Sequence, residues 1–348
     1  MGIIEISVFI ILFLYVAIKG ERKEKIVAVI GVLVLFLLAA LRAVDPLTDS
    51  IRYEAFFQRF ARYDFDKLKQ IVELESIKDP TFHYTGWLLS RITLNISWWF
   101  TVIAFIYSIA VGKLIYKESK QVAISLVMLV SLGFFEFSLT GLRQTVAMGT
   151  LIFSYTFLQK RQFIPFALLV LLASRYHLSA LVFLIIYPIA NKKIGIYHVI
   201  IAVVALVIFY AFKGWLLEFL NSILGSERFE GYTSGNSSQL TMSGFAIQTM
   251  CLLFGLYYYK RMIAEDERNL LLYNLSFIGW VFQLFSSFIA EFFRVSMMFS
   301  IFNIILVANA TTCEKDKRSR SILQMVVIII FVLYMVKDGK MNYQFFWQ

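Results

Sequence analysis

The sequence has few of the residues from which many soluble active sites are built. It holds two cysteines, Cys251 and Cys313, and three histidines, His83, His177 and His198, among 348 residues. Two cysteines are too few for a disulfide framework or a thiolate metal site, and the histidines lie too far apart in the chain for metal-ligand spacing. The sequence also lacks a Gly-rich phosphate loop, an H-x-x-x-H pair and an Asp-rich nucleotide-sugar site. It therefore predicts neither a metal nor a cofactor.

Charged residues are scarce as well, whereas apolar residues are abundant. The chain is 16% charged and 59% hydrophobic, against about 25% and 45–50% in soluble proteins. Such a composition excludes a soluble enzyme and a disordered protein. We predict an all-α, polytopic membrane protein of about 12 transmembrane helices, at residues 3–18, 26–41, 98–116, 121–138, 141–158, 162–175, 177–190, 196–212, 243–259, 270–289, 294–311 and 321–336. The short segments 162–175 and 177–190 are alternatively one broken helix.

The distribution of positive charge predicts the orientation of these spans. Six short links hold 18 of the 33 Lys and Arg residues: Lys19–Lys25, Lys113–Lys120, Lys160–Arg161, Lys192–Lys193, Lys260–Arg268 and Lys315–Arg320. The positive-inside rule places these links in the cytoplasm and both termini outside. The net charge of +10 is then a topogenic signal and not a nucleic-acid-binding patch.

The chain contains no tandem repeat or Pro-rich linker, which indicates a single transmembrane domain over residues 1–348 with two extracytoplasmic loops. In the first loop, about 42–97, the apolar face of Phe65, Leu68, Ile71 and Val72 suggests a helix on the membrane surface. The second loop, about 213–242, ends in the polar stretch Ser234–Gln239. That stretch is either a mobile lid or an idle loop.

Single arginines stand at the outer ends of several spans, where the positive-inside rule disfavours them. They are Arg42, Arg143, Arg175 and Arg294, with Arg228 in the second loop. The guanidinium fork matches phosphate and carboxylate, so the group suits the anionic head of a lipid. The alternative is that each arginine snorkels to water or pairs with a nearby acid.

Two short constellations add polar and titratable groups to the outer face. In the first loop, Asp49, Tyr53 and Phe57 are spaced i, i+4, i+8 and share one face of a helix. The alternative is a surface helix that packs Tyr53 and Phe57 and needs no function for Asp49. Further along, Arg175 precedes His177 at an outer span end. A lone histidine is usually structural, but a neighbouring arginine and a titration range near neutrality make a proton-transfer role credible.

A third constellation, Phe137–Gln144, lies between the fourth and fifth predicted spans. Thr140 and Gly141 suit a sharp break before a new helix. Arg143 and Gln144 then fall in the first turn of that helix, beside its free N–H groups, where an anion is stabilised. We regard this as the most informative place in the sequence.

Taken in order, these stretches resemble the EpsG family of bacterial exopolysaccharide proteins, which belongs to the Wzy-type polysaccharide polymerases. The matching residues are Arg42, Asp49 and Tyr53; Asp79-Pro-Thr-Phe82; Ser138–Gln144 with Ala147; Tyr176-His177-Leu-Ser179-Ala-Leu181; Arg294; and Tyr343. One departure is Asp79, where the family leads one to expect glutamate. Asp79 is therefore not among the predicted site residues.

The resemblance implies a fold and a reaction. The fold is a GT-C-like helical bundle in the bacterial cytoplasmic membrane. The reaction is a metal-independent, inverting glycosyl transfer that joins undecaprenyl-pyrophosphate-linked repeat units at the extracytoplasmic face. Besides those glycans and the bilayer, chain-length regulator and flippase proteins are expected partners. Pre-placed arginines would stabilise the leaving pyrophosphate.

From these patterns we predict a set of site residues and keep rival functions open. The predicted catalytic residues are Arg143 with a base chosen from His177, Asp49 and Glu136, in that order. The predicted substrate-binding residues are Arg42, Tyr53, Gln144, Arg175, Arg228 and Arg294. A lipid-linked oligosaccharide flippase is the main alternative, although its arginines would line a cavity at mid-membrane depth. A membrane acyltransferase and a non-catalytic assembly partner are further rivals.

Overall fold

A computed structural model describes residues 2–45, 48–193, 242–286, 291–337 and 343–347, with positions 195, 198, 200, 201, 204, 207, 208, 211, 212, 214 and 215. These residues are helical almost throughout, so the all-α prediction is confirmed. They form two compact units, Met1–Leu184 with Val307–Gln348, and Ile185–Leu306. Apart from positions 214, 215 and 242, the predicted second outer loop and its lid stretch lie outside the described residues.

Sixteen α-helices are described along the chain. The first unit begins with α1 (Ile3–Ala17), α2 (Lys23–Ala40), α3 (Ser50–Phe60), α4 (Phe65–Leu74), α5 (Pro80–Ser90), α6 (Ile96–Glu118), α7 (Val122–Ser131), α8 (Phe134–Thr140), α9 (Leu142–Gln159) and α10 (Phe163–Tyr176). A 3-10 helix (Leu178–Ile185) leads to α11 (Ile186–Ile189), α12 (Met242–Glu265), α13 (Asn269–Phe285) and α14 (Glu291–Ser300). The chain then continues through α15 (Asn303–Ala310), a 3-10 turn (Thr311–Cys313) and α16 (Lys317–Lys337).

Several of these helices are long and apolar enough to cross a membrane. Within the described residues, α6 and α16 meet that condition as single helices. Two bent pairs meet it together, α7 with α8 at a bend of 49° and α14 with α15 at a bend of 41°, which gives up to four spans. The predicted segment 177–190 is a 3-10 helix followed by one short α-helix, so it does not continue α10 as one long α-helix.

The predicted first outer loop folds into α3, α4 and α5. Asp64 caps α4 by accepting a hydrogen bond from the Lys67 backbone N–H at 2.8 Å, and Pro80 begins α5, where its missing N–H costs nothing. Leu68 on α4 is fully buried and packs in one cluster with Phe60 of α3. The prediction that this face lies on the membrane is therefore wrong for Leu68, Ile71 and Val72, which are buried within the loop, whereas Phe65 is 48% exposed.

A second apolar cluster attaches this loop to the membrane helices. Tyr53 and Phe57 of α3 pack in it with Trp99 and Phe100 near the start of α6 and with Leu142 at the start of α9. The loop helices are therefore held at the end of α6 where that helix begins.

Hydrogen bonds join several predicted cytoplasmic links at the other end of α6. The Val122 N–H donates to Glu24 at 2.8 Å, and the Gln159 amide donates to Glu118 at 3.0 Å. Asn309 accepts from the Lys120 N–H at 2.7 Å. The links that follow α1, α6 and α9 thus lie at one end of the first unit.

The second unit has its own internal contacts. The Asn274 side chain donates to the carbonyl of Ile189 at 2.7 Å and to that of Ala190 at 2.9 Å, which ties α13 to the end of α11. Ser296 donates to the Gly279 carbonyl at 2.8 Å, and Ser300 donates to Gln248 at 2.8 Å. These buried polar groups fasten α12, α13 and α14 together.

Candidate functional site

Three residues that are distant in sequence meet at the predicted outer loop of the first unit. Arg143 Nη1 lies 2.9 Å from Asp79 Oδ2, and His177 Nδ1 lies 3.6 Å from the same carboxylate oxygen. The first distance is a charge-assisted hydrogen bond, whereas the second is slightly longer than a hydrogen bond. Asp79 therefore connects the two residues to which the sequence assigned the chemistry.

The local backbone places each of these three side chains. Asp79 precedes Pro80 and has a left-handed conformation with φ 54°, which is uncommon for a non-glycine residue. Arg143 lies in the first turn of α9, after the break at Gly141 that the sequence predicted. His177 ends α10 in an extended conformation, with φ −156° and ψ 110°.

The carboxylate of Asp79 is well buried and ionised. Its side chain is 14% exposed, and burial by itself favours the neutral acid. The His177 ring and the Arg143 charge act in the opposite direction and hold the pKa of Asp79 below its usual value. Since the Arg143 contact is the shorter one, we attribute most of this stabilisation to it. Asp79 is therefore negatively charged at neutral pH, opposite the positive charge of Arg143.

Arg143 and His177 both have polar atoms that form no hydrogen bond within the described residues. Arg143 uses Nη1 for both Asp79 and the Lys78 carbonyl, the latter at 3.4 Å, so within the described residues its Nη2 and Nε donors make no hydrogen bond. His177 Nε2 is buried and also has no partner within the described residues. Near Asp79 there are thus two guanidinium donors and one buried imidazole nitrogen without a hydrogen-bond partner among the described residues.

A pocket of about 320 Å³ lies against Arg143. Its wall combines cationic, acidic and aromatic side chains: Asp49, Arg52, Tyr53, Phe56, Glu75, Ile77, Lys78, His83 and Arg143. Glu75 is held by Arg59 in a two-pronged ion pair at 2.5 and 2.9 Å, and Asp49 lies 3.7 Å from Arg52. Arg143 pairs with Asp79 instead, and Lys78 forms no ion pair within the described residues. The pocket therefore combines charges of both signs with aromatic rings, which suits a polar ligand.

His83 contributes a neutral imidazole to this pocket. Its ring packs edge-on against Phe56, Phe60 and Phe82, and only 7% of the residue is exposed. Burial, assisted by the Arg143 charge, lowers the pKa of His83 to about 4. His83 is therefore uncharged at neutral pH.

Some of the predicted site residues line this pocket, and one is linked to it through Asp79. Asp49 and Tyr53 line the pocket with Arg143, and His177 joins them through Asp79. Asp49 is half exposed and precedes α3, so it does not share the buried face of Tyr53.

Gln144 and Glu136 lie elsewhere in the same unit. Gln144 is buried, with its amide 3.8 Å from Met148 Sδ, and Glu136 is half-buried in the first turn of α8. Neither is among the residues that line the pocket.

Three of the five predicted arginines, Arg42, Arg143 and Arg175, are described within the first unit. Arg175 is exposed, Arg294 lies in the second unit on α14, and Arg228 is outside the described residues. Of the three in the first unit, only Arg143 is among the described residues that line the pocket.

Arg42 is buried beneath the C-terminal tail. It is 4% exposed, and its guanidinium lies 4.1 Å from the centre of the Phe100 ring. Phe345 pairs with Arg42 through a β-bridge, and the Tyr343 hydroxyl donates to the Leu38 carbonyl at 2.6 Å. Burial lowers the pKa of Arg42 to about 10, so the arginine stays charged at neutral pH.

The residues that sequence reasoning missed are Asp79, His83, Arg52 and Lys78. Asp79 did carry a signal, since an acid before Pro80 belongs to the family pattern. The other three showed no pattern of their own. Within the described residues, no group of three His, Cys, Asp or Glu side chains is placed to bind a metal ion.

The class of protein follows from these observations: an all-helical membrane protein with an acid–arginine–histidine cluster beside a pocket lined by charged and aromatic side chains. The EpsG family model matches residues 25–348, which is nearly the whole chain. The chain belongs to the EpsG family, whose members are Wzy-type polymerases. Comparison with curated proteins gave no match, and comparison with solved structures gave none either.

Proposed function

We propose that this protein is a polysaccharide polymerase that joins undecaprenyl-pyrophosphate-linked repeat units at the extracytoplasmic face of the bacterial cytoplasmic membrane. The observation that carries the proposal is the cluster of Asp79, Arg143 and His177 beside the pocket. It offers a donor fork for a phosphate and a nitrogen base for a hydroxyl within one small region. The rest of the chain forms a GT-C-like bundle of about twelve spans with both termini outside.

In the proposed reaction, an acceptor sugar hydroxyl attacks the anomeric carbon of the donor glycan. The bond from that carbon to the pyrophosphate oxygen breaks as the new glycosidic bond forms, so the anomeric centre inverts. The hydroxyl proton passes to His177 Nε2, whose lone pair is unpartnered among the described residues. Undecaprenyl pyrophosphate leaves with the electron pair of the broken bond.

Arg143 stabilises the leaving group in this scheme. Its Nη2 and Nε donors point a bidentate fork at phosphate oxygens while Nη1 stays on Asp79. Charge stabilisation by a pre-placed guanidinium gives a route that requires no metal. Asp79 orients both partners, and its negative charge stabilises the imidazolium that forms on His177.

The pocket beside Arg143 is assigned to the sugar. Tyr53 offers an aromatic face, and Asp49 a carboxylate that accepts hydroxyl hydrogen bonds. Asp49 is the second candidate for the base, and Glu136 on α8 is the third. We assign Arg42 to anchoring the tail, and we keep Arg175, Arg228 and Arg294 as substrate-binding candidates. A flippase would supply the lipid-linked units, and a chain-length regulator would act on the product.

Reconstitution tests the proposal. Purified full-length protein in liposomes is given lipid-linked repeat units in the presence of EDTA, and the glycans are separated by size. A polymerase produces a ladder of longer glycans and free lipid pyrophosphate. A flippase instead moves the units across the bilayer at constant glycan length, which would refute the assignment. Loss of the ladder in EDTA, restored by one metal ion, would refute the arginine-based route.

A further inference from the structure

A second cavity lies far from the candidate site, between α2 and α6 of the first unit. It is a groove with a volume of about 550 Å³, within the range of about 300–1,000 Å³ that small-molecule sites occupy. Its wall is almost wholly apolar for most of its length: Ala28, Val29, Val32, Leu33, Phe36, Phe105, Ser108, Ile109, Gly112, Lys113, Tyr116 and Lys117. The two lysines at one end are its only charged residues.

The packing of the two helices explains the shape of this groove. Gly112 brings α6 close to α2, since a Cβ at that position would lie 3.1 Å from Val32. Phe36 and Phe105 meet edge-on, with ring centres 6.1 Å apart. The groove remains open outward, because 59% of Val29 and 53% of Phe105 are exposed. In a membrane protein, such a surface contacts lipid chains.

The charged end of the groove has positive groups without acidic partners. Lys113 and Lys117 are exposed and one helical turn apart, and neither forms an ion pair within the described residues. Lys25 lies at the same end, 5.5 Å from the Tyr116 ring centre. The two nearby carboxylates, on Glu24 and Glu118, accept hydrogen bonds from Val122 and Gln159. An anionic group here would meet ammonium groups that form no ion pair within the described residues.

The position of these lysines separates the groove from the proposed substrate. Trp99 packs with the outer-loop residues at the start of α6, and Lys113 lies 14 residues further along the same helix, or about 21 Å. A phosphate at Lys113 therefore lies near the opposite end of α6 from the pocket. A lipid in the groove occupies the other leaflet from the pyrophosphate that Arg143 is proposed to bind.

We propose that this groove is a specific site for an anionic phospholipid. One acyl chain lies between α2 and α6, and the headgroup phosphate contacts Lys113 and Lys117. Along α6 the groove extends from Phe105 to Lys117, about 18 Å, which exceeds half of the roughly 30 Å hydrocarbon core. One leaflet's acyl chain fits that length. The proposal is independent of the polymerase activity.

Native mass spectrometry of the detergent-solubilised full-length protein tests it. The protein is titrated with phosphatidylglycerol and, separately, with phosphatidylcholine of identical chains. We expect the first lipid bound to the wild type to favour phosphatidylglycerol. Lys113→Gln/Lys117→Gln should weaken phosphatidylglycerol binding by roughly 25-fold, about fivefold for each lysine near a headgroup. Phosphatidylcholine binding should not change.

Two further variants separate the groove from general surface charge. Lys315→Gln/Lys317→Gln removes two exposed lysines that do not line the groove and should bind like the wild type. Ser108→Phe fills the groove without changing charge and should weaken both lipids. Three results would overturn the proposal: equal binding of the two lipids by the wild type, an equal loss in the Lys315/Lys317 control, or unchanged binding by Ser108→Phe. A wild-type dimer that Ser108→Phe dissociates would also overturn it, by assigning the groove to a second copy.

Discussion

Asp79 is the residue on which the geometry of the candidate site depends. It is the shared partner of Arg143 and His177, from α9 and from the end of α10. Its left-handed backbone turns the carboxylate toward both of them before Pro80 begins α5. A carboxylate that holds a guanidinium and an imidazole fixes two directions at once, which a pre-organised site requires.

Replacing Asp79 with asparagine tests this positioning role. Asp79→Asn keeps the size of the side chain but removes the charge, so Arg143 loses its ion pair and His177 its orienting partner. We expect chain elongation to fall by roughly 10²-fold or more, because a misdirected base loses most of its contribution. The exposed Asp66→Asn in the same loop should elongate like the wild type. An Asp79→Asn protein that binds substrate and polymerises at the wild-type rate would contradict the role.

The lowered pKa of His83 leads us to predict that the stability of the protein depends on pH. Its pKa falls from 6.5 to about 4 in the folded protein, so the unfolded chain binds an extra proton between these values. Stability therefore decreases as the pH falls from about 6.5 to 4, by on the order of 3 kcal/mol. The melting temperature should drop over this window in the wild type and much less in His83→Gln. If His198→Gln, at an exposed position, reduced the pH dependence of the melting temperature equally, the assignment of that dependence to His83 would be contradicted.

The sequence identified Arg143 and His177 but not their shared partner. Both residues lie beside a predicted helix end, where a periodic pattern stops and polar groups stand out. Asp79 lies in a loop, and its effect depends on a left-handed backbone and on contacts 64 and 98 residues away. Such contacts arise from tertiary packing, which the local sequence does not encode. The burial of Arg42 by the C-terminal tail was missed for the same reason.

At the scale of elements, the break between α8 and α9 positions Arg143. α8 ends at Thr140 and α9 begins at Leu142, as the sequence predicted from Gly141. The Phe137 ring lies over this glycine, where an added Cβ would come within 2.5 Å of the ring. The start of α9 therefore depends on a position without a side chain.

Two glycine substitutions separate this effect from general destabilisation. Gly141→Ala pushes against Phe137 and shifts the first turn of α9, so we expect the elongation rate to fall by up to about 10²-fold through misplacement of Arg143. Gly133→Ala is the control. Gly133 has a φ of +75° and no atom lies within 4 Å of an added Cβ, so the substitution strains the backbone and costs about 1–2 kcal/mol of stability without a clash. Its rate should match the wild type. Equal rates for both variants would contradict the role of the break.

For the helix α4 and the segment after His177, the hydrophobic pattern did not predict the packing partner or the type of helix. The apolar face of α4 was correctly predicted to be helical, yet it packs on Phe60 and not on lipid. The amphipathic pattern of a helix shows which face is buried, but not whether protein or lipid covers that face. Likewise, the apolar run 177–190 does not distinguish an α-helix from the 3-10 helix that forms at Leu178–Ile185.

At the scale of the whole molecule, the first unit has two chemically different ends. The outer-loop helices and the candidate site lie where α6 begins, and the basic links after α1, α6 and α9 lie where α6 ends. The all-helical class and the family could be read from the sequence, because both depend on composition and on short local motifs. The division into two units could not, because the apolar runs are alike in both.

Cysteine labelling tests the orientation. The native Cys251 and Cys313 are buried, so new cysteines at exposed positions report cleanly. We expect a cysteine at Asp66 to react with an impermeant thiol reagent added outside intact cells. A cysteine at Ser319 should react only after the cells are opened. The reverse pattern would place the candidate site in the cytoplasm, away from the outer face on which polymerisation is proposed.

The central claim is that Arg143 and His177 carry out the glycosyl transfer. Its most direct test is the rate of glycan elongation on lipid-linked repeat units by wild type, Arg143→Lys and His177→Ala, with substrate binding measured alongside. We predict that both variants bind substrate but elongate more slowly, Arg143→Lys by on the order of 10²–10³ because the fork is lost and His177→Ala by roughly 10²–10⁴ because the base is lost. Near-wild-type elongation by a folded His177→Ala protein would contradict the account and transfer the base role to Asp49.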